Sequence, residues 1–408
     1  MTFRERIVFF ALLASIPIQL GKHFWPPFSF IHGIRLDYLS PILYLSDILL
    51  FLLFVISSFQ LKRSFMKWII SPLPLLTLIV VVIGAFFAQE KLAALYGFWR
   101  ILEYSFFAFF AFKTLKPSDM DDVSFIFILW GLVQTVLSTF QILVQHSLGG
   151  VFYYLGERTF DASTPGIASF RIGETLTMRP YGTFPHPNVL AFYLLCALVL
   201  LLIIKANTRH KQIIQIAVGM LIFFGIVITF SRIVLVLSVI AICMFIFSKV
   251  RRAISLPMII SGLFLIVFLF VLRGKAELIS DSLLRLELIK IGFLVLLNHL
   301  LLGVGLNNFY FHEILYQKNL TPILLQPIHN IYLLWVVQTG IAGFVVGALF
   351  VRKIVSVLSP RPFAWFLLVS VLVCGLFDHY FITLQQGSLM FALILGLYFN
   401  SQLRSGGR

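Results

Sequence analysis

The sequence predicts an all-α integral membrane protein with about twelve transmembrane helices. Of its 408 residues, 60% are hydrophobic and only 12% are charged. The mean hydropathy of +1.01 is higher than that of water-soluble domains of this length. The apolar runs are continuous and approach the roughly 20 residues that a helix needs to cross a bilayer, whereas a β-barrel would show alternating segments. The spans are therefore predicted to be helices.

The apolar runs, separated by helix breakers, predict one transmembrane domain over residues 1–408. The predicted spans lie near residues 7–20, 40–59, 68–88, 98–115, 123–147, 187–204, 213–229, 233–248, 257–272, 329–351, 363–377 and 388–401. The first run has the charged start and apolar middle of a signal peptide, but no convincing small-residue cleavage site follows it. We interpret it as a retained first helix.

The basic residues predict the orientation of the chain. The net charge is +15, but Lys and Arg occur in short clusters between apolar runs and form no continuous basic face, which argues against a nucleic-acid partner. If the N-terminus is cytoplasmic, more than half of the 31 Lys and Arg fall on the cytoplasmic side. By the positive-inside rule, both termini are predicted to be cytoplasmic.

Two long connections are predicted on the extracytoplasmic side, at residues 148–186 and, between spans nine and ten, at residues 273–328. The long loops do not fall at matched places in two halves, which disfavours a transporter built from inverted repeats. Cys196, Cys243 and Cys374 all lie inside apolar runs, so neither a disulfide framework nor a cysteine metal site is predicted.

Polar residues cluster at the extracytoplasmic ends of several spans, where ionisable groups are costly unless they are paired or functional. The stretch RPYGTFPHPN carries Arg179, His186 and Asn188 just before span six. The hairpin TFSR contains Arg232 and almost no other polar residue. Arg285 lies in LLRLELIK, on a predicted amphipathic helix. We expect these side chains to face a polar, anionic ligand.

Two further polar clusters lie on the same side. His329 and Asn330 begin span ten, and His379 follows Asp378 at the outer end of span eleven. Each cluster also has a purely structural interpretation. The prolines and Asn188 are compatible with a helix start, and Asp378 and His379 with a cap pair. Arg232 could extend to lipid phosphate, and Arg285 could pair with Glu287 or Glu277.

Four motifs in order carry a family resemblance. They are R-P-Y-G-T-F-x-H-P-N-x-L-A, then T-F-S-R, then L-L-R-L-E-L-I-K followed by L-L-G-V-G-L-N-N-F, and H-N-I-Y-L-L. Together they resemble the O-antigen ligase and O-antigen polymerase superfamily over residues 179–343. The resemblance implies a multi-helix membrane glycosyltransferase of the GT-C type with a large extracytoplasmic loop between spans nine and ten, in the bacterial inner membrane.

The resemblance also implies a reaction, the transfer of a glycan from undecaprenyl pyrophosphate to an acceptor hydroxyl, without metal, nucleotide or other cofactor. The family's histidine in H-N-x-Y-L falls on His329, its loop arginine on Arg285 and its hairpin arginine on Arg232. Ile289 stands where the family commonly has Trp, and Ile233 and Leu235 replace a Gly and a Trp after Arg232. These differences affect the packing around the arginines and leave their charge unchanged.

The residue types suit that chemistry. A guanidinium stays charged at any relevant pH and forms paired hydrogen bonds to phosphate oxygens, so Arg232, Arg285 and Arg179 are the predicted pyrophosphate ligands. An imidazole can remove a proton from a sugar hydroxyl, so His329 is the predicted base. His186, Asn188, Asn330 and His379 are further candidates for substrate binding. Asp119 and Asp121 lie on the predicted cytoplasmic side and are interpreted as a solvated loop.

The predicted partners are the lipid-linked glycan donor, a glycan or lipid acceptor and membrane lipid. A single displacement would invert the anomeric centre. Two alternatives remain, namely transfer to protein serine or threonine from the same donor, and transport of the lipid-linked sugar. A transporter would need polar residues along a path through the membrane, but the predicted spans offer few, such as Asp47 and Gln134.

Overall fold

A computed structural model describes residues 1–172, 175–249, 275–316, 325–357 and 362–400. The described part is mostly helical. Its helices are α1 (Phe3–Ser15), α2 (Leu45–Ile56), α3 (Phe59–Ile69), α4 (Pro72–Phe87), α5 (Lys91–Thr114), α6 (Met120–Val144), α7 (Val151–Tyr154), α8 (Pro187–Ile203), α9 (Arg209–Ile228), α10 (Arg232–Lys249), α11 (Lys275–Asn298), α12 (Phe309–Glu313), α13 (Ile331–Ser356), α14 (Pro362–Gly375), α15 (Tyr380–Thr383) and α16 (Gln385–Phe399). Its strands are β1 (Gly21–His23), β2 (Phe30–Ile31), β3 (Ile34–Arg35), β4 (Ile42–Tyr44), β5 (Ser169–Ile172) and β6 (Thr175–Met178).

The helices follow the predicted spans closely. Every predicted span overlaps a helix except the ninth, at residues 257–272, which lies outside the described residues. Three segments of the described chain are long and apolar enough to cross a bilayer alone, namely Pro117–Val144, Arg209–Ile228 and Ile331–Ser356. The α2–α3 pair, bent by 109°, would be a fourth if it forms one span. A helical multi-pass membrane protein is thus supported, and the count of twelve spans stays a prediction.

Helix α8 lies at the centre of the bundle. It is apolar on all sides, and its residues from Val189 to Leu201 are buried, as expected of a helix that other helices surround. Helices α6, α9, α10 and α14 pack against it, and α5 packs against α16. His186 is the N-cap of α8, because its Nδ1 accepts the backbone N–H of Asn188 at 3.1 Å. The side chain of Asn188 therefore does not serve as the helix cap and points elsewhere.

Helix α13 is broken at Gly340, where φ is 66°. The neighbouring segment, residues 300–305, docks onto the break. The N–H of Val304 donates to the carbonyl of Val337 at 3.1 Å, and the N–H of Ile341 donates to the carbonyl of Leu300 at 2.9 Å. Backbone groups released by a break at membrane depth are thereby satisfied within the protein. The turn expected at GVGLNN is present, since Gly303 and Gly305 both have positive φ.

The connections that are predicted to be extracytoplasmic contain more structure than the sequence suggested. Residues 21–44 form two small antiparallel pairs, β1 with β4 and β2 with β3. Strands β5 and β6 form a hairpin that leads directly into Arg179. The described part of the predicted loop 273–328 is largely helical and contains α11 and α12. These segments position side chains above the end of the bundle where α8 and α13 begin.

Candidate active site

A buried aspartate lies at the centre of the predicted cluster. Asp378 follows α14 and is 6% exposed. Its Oδ2 accepts a hydrogen bond from Asn188 Nδ2 at 2.7 Å, and its Oδ1 accepts the backbone N–H of His379 at 2.8 Å. His329 Nδ1 lies 3.7 Å from the same Oδ1, and His379 Nε2 lies 3.9 Å from it. One carboxylate therefore brings together Asn188, His329 and His379, and the first two are far from it in the sequence.

His329 lies beside Asp378, at the start of a helix. It immediately precedes α13, whose N-cap is Asn330, with the amide oxygen of Asn330 accepting the N–H of Leu333 at 2.9 Å. Its Nε2 lies 3.3 Å from Gln326 Oε1. Its Nδ1 is buried and makes no hydrogen bond with the described residues. A movement of about 1 Å toward Asp378 would create a hydrogen bond of ordinary length.

Arg179 supports the cluster through hydrogen bonds to Asn188 and to the end of α9. Its Nη2 donates to Asn188 Oδ1 at 2.7 Å, and its Nε donates to the carbonyl of Thr229 at 2.7 Å. A continuous hydrogen-bond network therefore runs from Arg179 through Asn188 to Asp378. It connects the starts of α8 and α15 to the end of α9. This chain accounts for the unusual composition of RPYGTFPHPN. A direct contact from Arg179 to pyrophosphate stays a prediction.

Arg285 and Asn330 hold the backbone just before Asp378. Arg285 Nη1 donates to the carbonyl of Phe377 at 2.8 Å, and Asn330 Nδ2 donates to the carbonyl of Leu376 at 3.1 Å. Arg285 therefore lies beside the cluster. Arg232 is the first residue of α10, three positions after Thr229, and is partly buried. The structure thus places all three predicted arginines at this end of the bundle.

A cavity of about 1670 Å³ opens in front of the cluster. Its walls include His186, His329, Asp378 and His379 at one end, and it continues along α4, α5, α13 and α16. Arg179, Arg232, Arg285, Asn188 and Asn330 are not among its lining residues. The predicted histidines therefore face the cavity directly, while the predicted arginines and asparagines lie behind them.

The sequence analysis missed several residues of the site. Tyr38, in the connection between β3 and β4, makes an edge-to-face contact with His379 at 5.6 Å between ring centroids. The ring of Tyr38 also stacks on Tyr310 at 6.0 Å. Asp378 was assigned only a capping role, and Gln326 no role. The one signal in the sequence was the position of Asp378 beside His379 at the outer end of a predicted span.

Burial sets the charges of the cluster. It lowers the pKa of both His186 and His379 to about 3, so both imidazoles are neutral at pH 7. Burial alone would raise the pKa of Asp378, but the neighbouring imidazole of His329 outweighs it and holds that pKa well below its usual value. Asp378 is therefore an anion that can orient an imidazole and stabilise its protonated form.

The cluster also contains possible metal ligands. One ligand atom each from His329, Asp378 and His379 lies within 4.8 Å of the others. Two imidazoles and a carboxylate are a ligand set that zinc can use. His379 Nδ1 is paired with Thr383 Oγ1 at 2.6 Å, which leaves its Nε2 toward the cluster. The absence of metal, expected from the resemblance, stays a prediction.

Comparison with known families gives one result. Residues 217–348 match the family model described as O-antigen ligase. The matched segment contains Arg232, Arg285, His329 and Asn330, whereas Asp378 lies outside it. No curated protein matches the chain.

Proposed function

We propose that this protein transfers a glycan from undecaprenyl pyrophosphate to an acceptor hydroxyl on the extracytoplasmic face of the bacterial inner membrane. The match of residues 217–348 to the O-antigen ligase family model supports the proposal. The reaction is that of an O-antigen ligase or a repeat-unit polymerase. The observation that carries the proposal is the position of His329 Nδ1, 3.7 Å from Oδ1 of the buried Asp378, at the wall of a large cavity.

His329 is the proposed base. In the base form, Nδ1 carries the proton and directs it to Asp378, and Nε2 is the proton acceptor. The acceptor hydroxyl then replaces Gln326, whose Oε1 can accept from Nε2 only in the other tautomer. As Nε2 removes the proton, the hydroxyl oxygen forms a bond to the anomeric carbon and the bond from that carbon to the phosphate oxygen breaks. The anionic Asp378 stabilises the imidazolium that results. General-base catalysis of this kind contributes about 10²- to 10⁴-fold to the rate.

The leaving group is undecaprenyl pyrophosphate, which departs as an anion and needs preorganised positive charge more than a general acid. Arg232, Arg285 and Arg179 are the proposed source of that charge. Arg285 lies beside Asp378, because it donates a hydrogen bond to the carbonyl of the preceding residue, Phe377. A single displacement inverts the anomeric centre, and no metal takes part in the proposed step.

Purified protein provides the test. It is incubated with a synthetic undecaprenyl-pyrophosphate-linked glycan and, in separate reactions, a glycolipid acceptor, a second lipid-linked repeat unit or a serine-containing peptide. Mass spectrometry follows released undecaprenyl pyrophosphate and the acceptor mass, and the product linkage is determined by NMR. We expect release with the glycolipid or the repeat unit, and an inverted linkage.

Two outcomes would contradict the proposal. Glycosylation of the peptide alone would assign the protein to protein glycosylation. Intact donor in every reaction, together with movement of the donor across the bilayer of proteoliposomes, would assign it to transport.

A further inference from the structure

A second charged site lines the same cavity. Arg100, on α5, is one of two arginines among the described residues that line it, the other being Arg158. Arg100 Nη1 contacts Asp47 Oδ1 at 2.9 Å and Glu103 Oε2 at 2.7 Å. All three side chains are nearly buried, with exposed fractions of 12% or less. Charged groups at this depth are expensive and indicate a functional site by default.

The guanidinium is rigidly held but keeps one edge open. Tyr96 and Tyr104 lie against it, with ring centroids 5.8 and 5.0 Å from its central carbon. Both carboxylates use the same nitrogen, Nη1. Within the described part of the chain, Nε and Nη2 donate no hydrogen bond. These two nitrogens form the edge that binds two oxygens of a phosphate side by side.

The carboxylates of Asp47 and Glu103 hold the guanidinium of Arg100 in place. Asp47 is also a hydrogen-bond acceptor for the N–H of Tyr44 at 2.9 Å and for Gln385 Nε2, so its charge is shared among donors from three elements. Neither Asp47 nor Glu103 lines the cavity. A ligand in the cavity therefore meets the cation and not the two anions.

Arg100 lies where the cavity changes from polar to apolar. Toward the His329 end, Asn307 Nδ2 donates to the carbonyl of Ala93 at 3.1 Å, which places a polar loop against α5 about two turns before Arg100. Beyond Arg100, most of the lining side chains of α5 and α16 are apolar, including Phe109, Phe112, Phe391 and Phe399. A lipid whose chain occupies the apolar part would have its headgroup at this junction.

We propose that the open edge of Arg100 binds the pyrophosphate of the prenyl-linked donor at the point where its apolar chain begins. This inference rests on the proposed function. It adds Arg100 to the residues that bind the donor, although no sequence motif indicated it. Arg100 holds the phosphates from the side of the lipid chain, while His329 acts from the side of the sugar.

Binding measurements on full-length protein in detergent test the inference. The probes are undecaprenyl pyrophosphate, undecaprenol and inorganic pyrophosphate. Arg100→Lys keeps a cation for Asp47 and Glu103 but loses the open edge. A double variant, Arg100→Gln with Glu103→Gln, removes the cation together with one carboxylate. Arg6→Lys is the matched control, because Arg6 also pairs with two carboxylates, Asp119 and Asp122, but does not line the cavity.

We expect both Arg100 variants to bind undecaprenyl pyrophosphate about 10- to 100-fold more weakly than wild type, with undecaprenol binding unchanged and Arg6→Lys equal to wild type. Wild-type affinity in Arg100→Lys would overturn the inference, as would equal losses for undecaprenol. Inorganic pyrophosphate bound as tightly as the lipid would overturn the placement at the chain junction. If wild type binds the lipid through Arg100 but transfers no glycan, the proposed function fails and the binding site stands.

Discussion

Asp378 is the residue on which the proposed chemistry depends most after His329. It is anionic, buried and hydrogen-bonded to Asn188, and it faces the Nδ1 of His329. It does not reach the substrate in the proposed mechanism, so it is a positioning residue. Its link to Arg179 through Asn188 explains why an arginine can be essential without lining the cavity.

We predict that Asp378→Asn lowers kcat for glycan transfer by at least about 100-fold with little change in KM. An amide keeps the size of the side chain but cannot stabilise an imidazolium as a carboxylate does. Steady-state kinetics on purified protein measure both constants. Asp121→Asn, an exposed acid far from the cavity, is the control. A change in KM alone would show that Asp378 shapes the binding site and does not assist the base.

The second prediction concerns Arg285. Lysine preserves its charge and can keep one hydrogen bond to the carbonyl of Phe377, but it cannot bind two oxygens side by side. If Arg285 holds pyrophosphate, Arg285→Lys loses about 10-fold or more in kcat/KM for the donor. Arg232→Lys is assayed beside it. Wild-type transfer by both variants would show that the arginines only support the backbone around Asp378.

Sequence reasoning found most residues of this cluster but neither its central carboxylate nor its arrangement. The runs around Arg179, Arg285 and His329 are visible because polar residues interrupt apolar segments. Asp378 lies 190 positions from Asn188, and only the packed bundle shows that they touch. Arg100 was overlooked for a related reason. Its partner Asp47 is in another span, and an arginine inside an apolar run gives no local sign of what it faces.

Among the helices, α13 has the most demanding geometry. A Cβ at Gly340 would lie 2.4 Å from the carbonyl of Leu301, and the φ of 66° is itself unfavourable for other residues. Because the break in α13 carries the loop that leads to Asn307, disturbing it would also disturb the cavity wall.

We therefore predict that Gly340→Ala lowers the free energy of unfolding by about 1–3 kcal/mol or more. The expected result is a lower apparent melting temperature in detergent. Gly347→Ala is the matched control in the same helix, since the nearest atom to its Cβ would be 3.9 Å away. It should be neutral or slightly stabilising. Equal melting temperatures for both variants would mean that α13 can straighten without cost.

Helix positions were predictable because long apolar runs determine them, and irregular elements were not. The basic segment after α2 was predicted as a short connection, but it forms α3, which is bent by 109° from α2. Strands β1 to β4 contain two or three residues each, too few for a period-two pattern to be visible. The connection that carries Tyr38 therefore gave no sign that it would cover the site.

For the whole molecule, the distribution of basic residues predicts which face of the membrane carries the cavity opening. Single cysteines test this in a variant lacking the three native ones. Ala162→Cys, in the connection after α6, should react with a membrane-impermeant maleimide in intact spheroplasts. Asn207→Cys, between α8 and α9, should react only after permeabilisation. Both positions are exposed. The reverse pattern would place His329 at the cytoplasmic face and exclude a donor presented outside.

In the proposed mechanism, the imidazole of His329 acts as the base when the sugar–phosphate bond breaks. Measuring turnover by His329→Ala tests this most directly. The variant is compared with wild type in the purified transfer assay, with His299→Ala, outside the cavity, as control. We predict a loss of about 10²- to 10⁴-fold in kcat, with binding of undecaprenyl pyrophosphate retained and full activity in the control. Turnover by His329→Ala within a few-fold of wild type would contradict the assignment of the base, and with it the proposed mechanism.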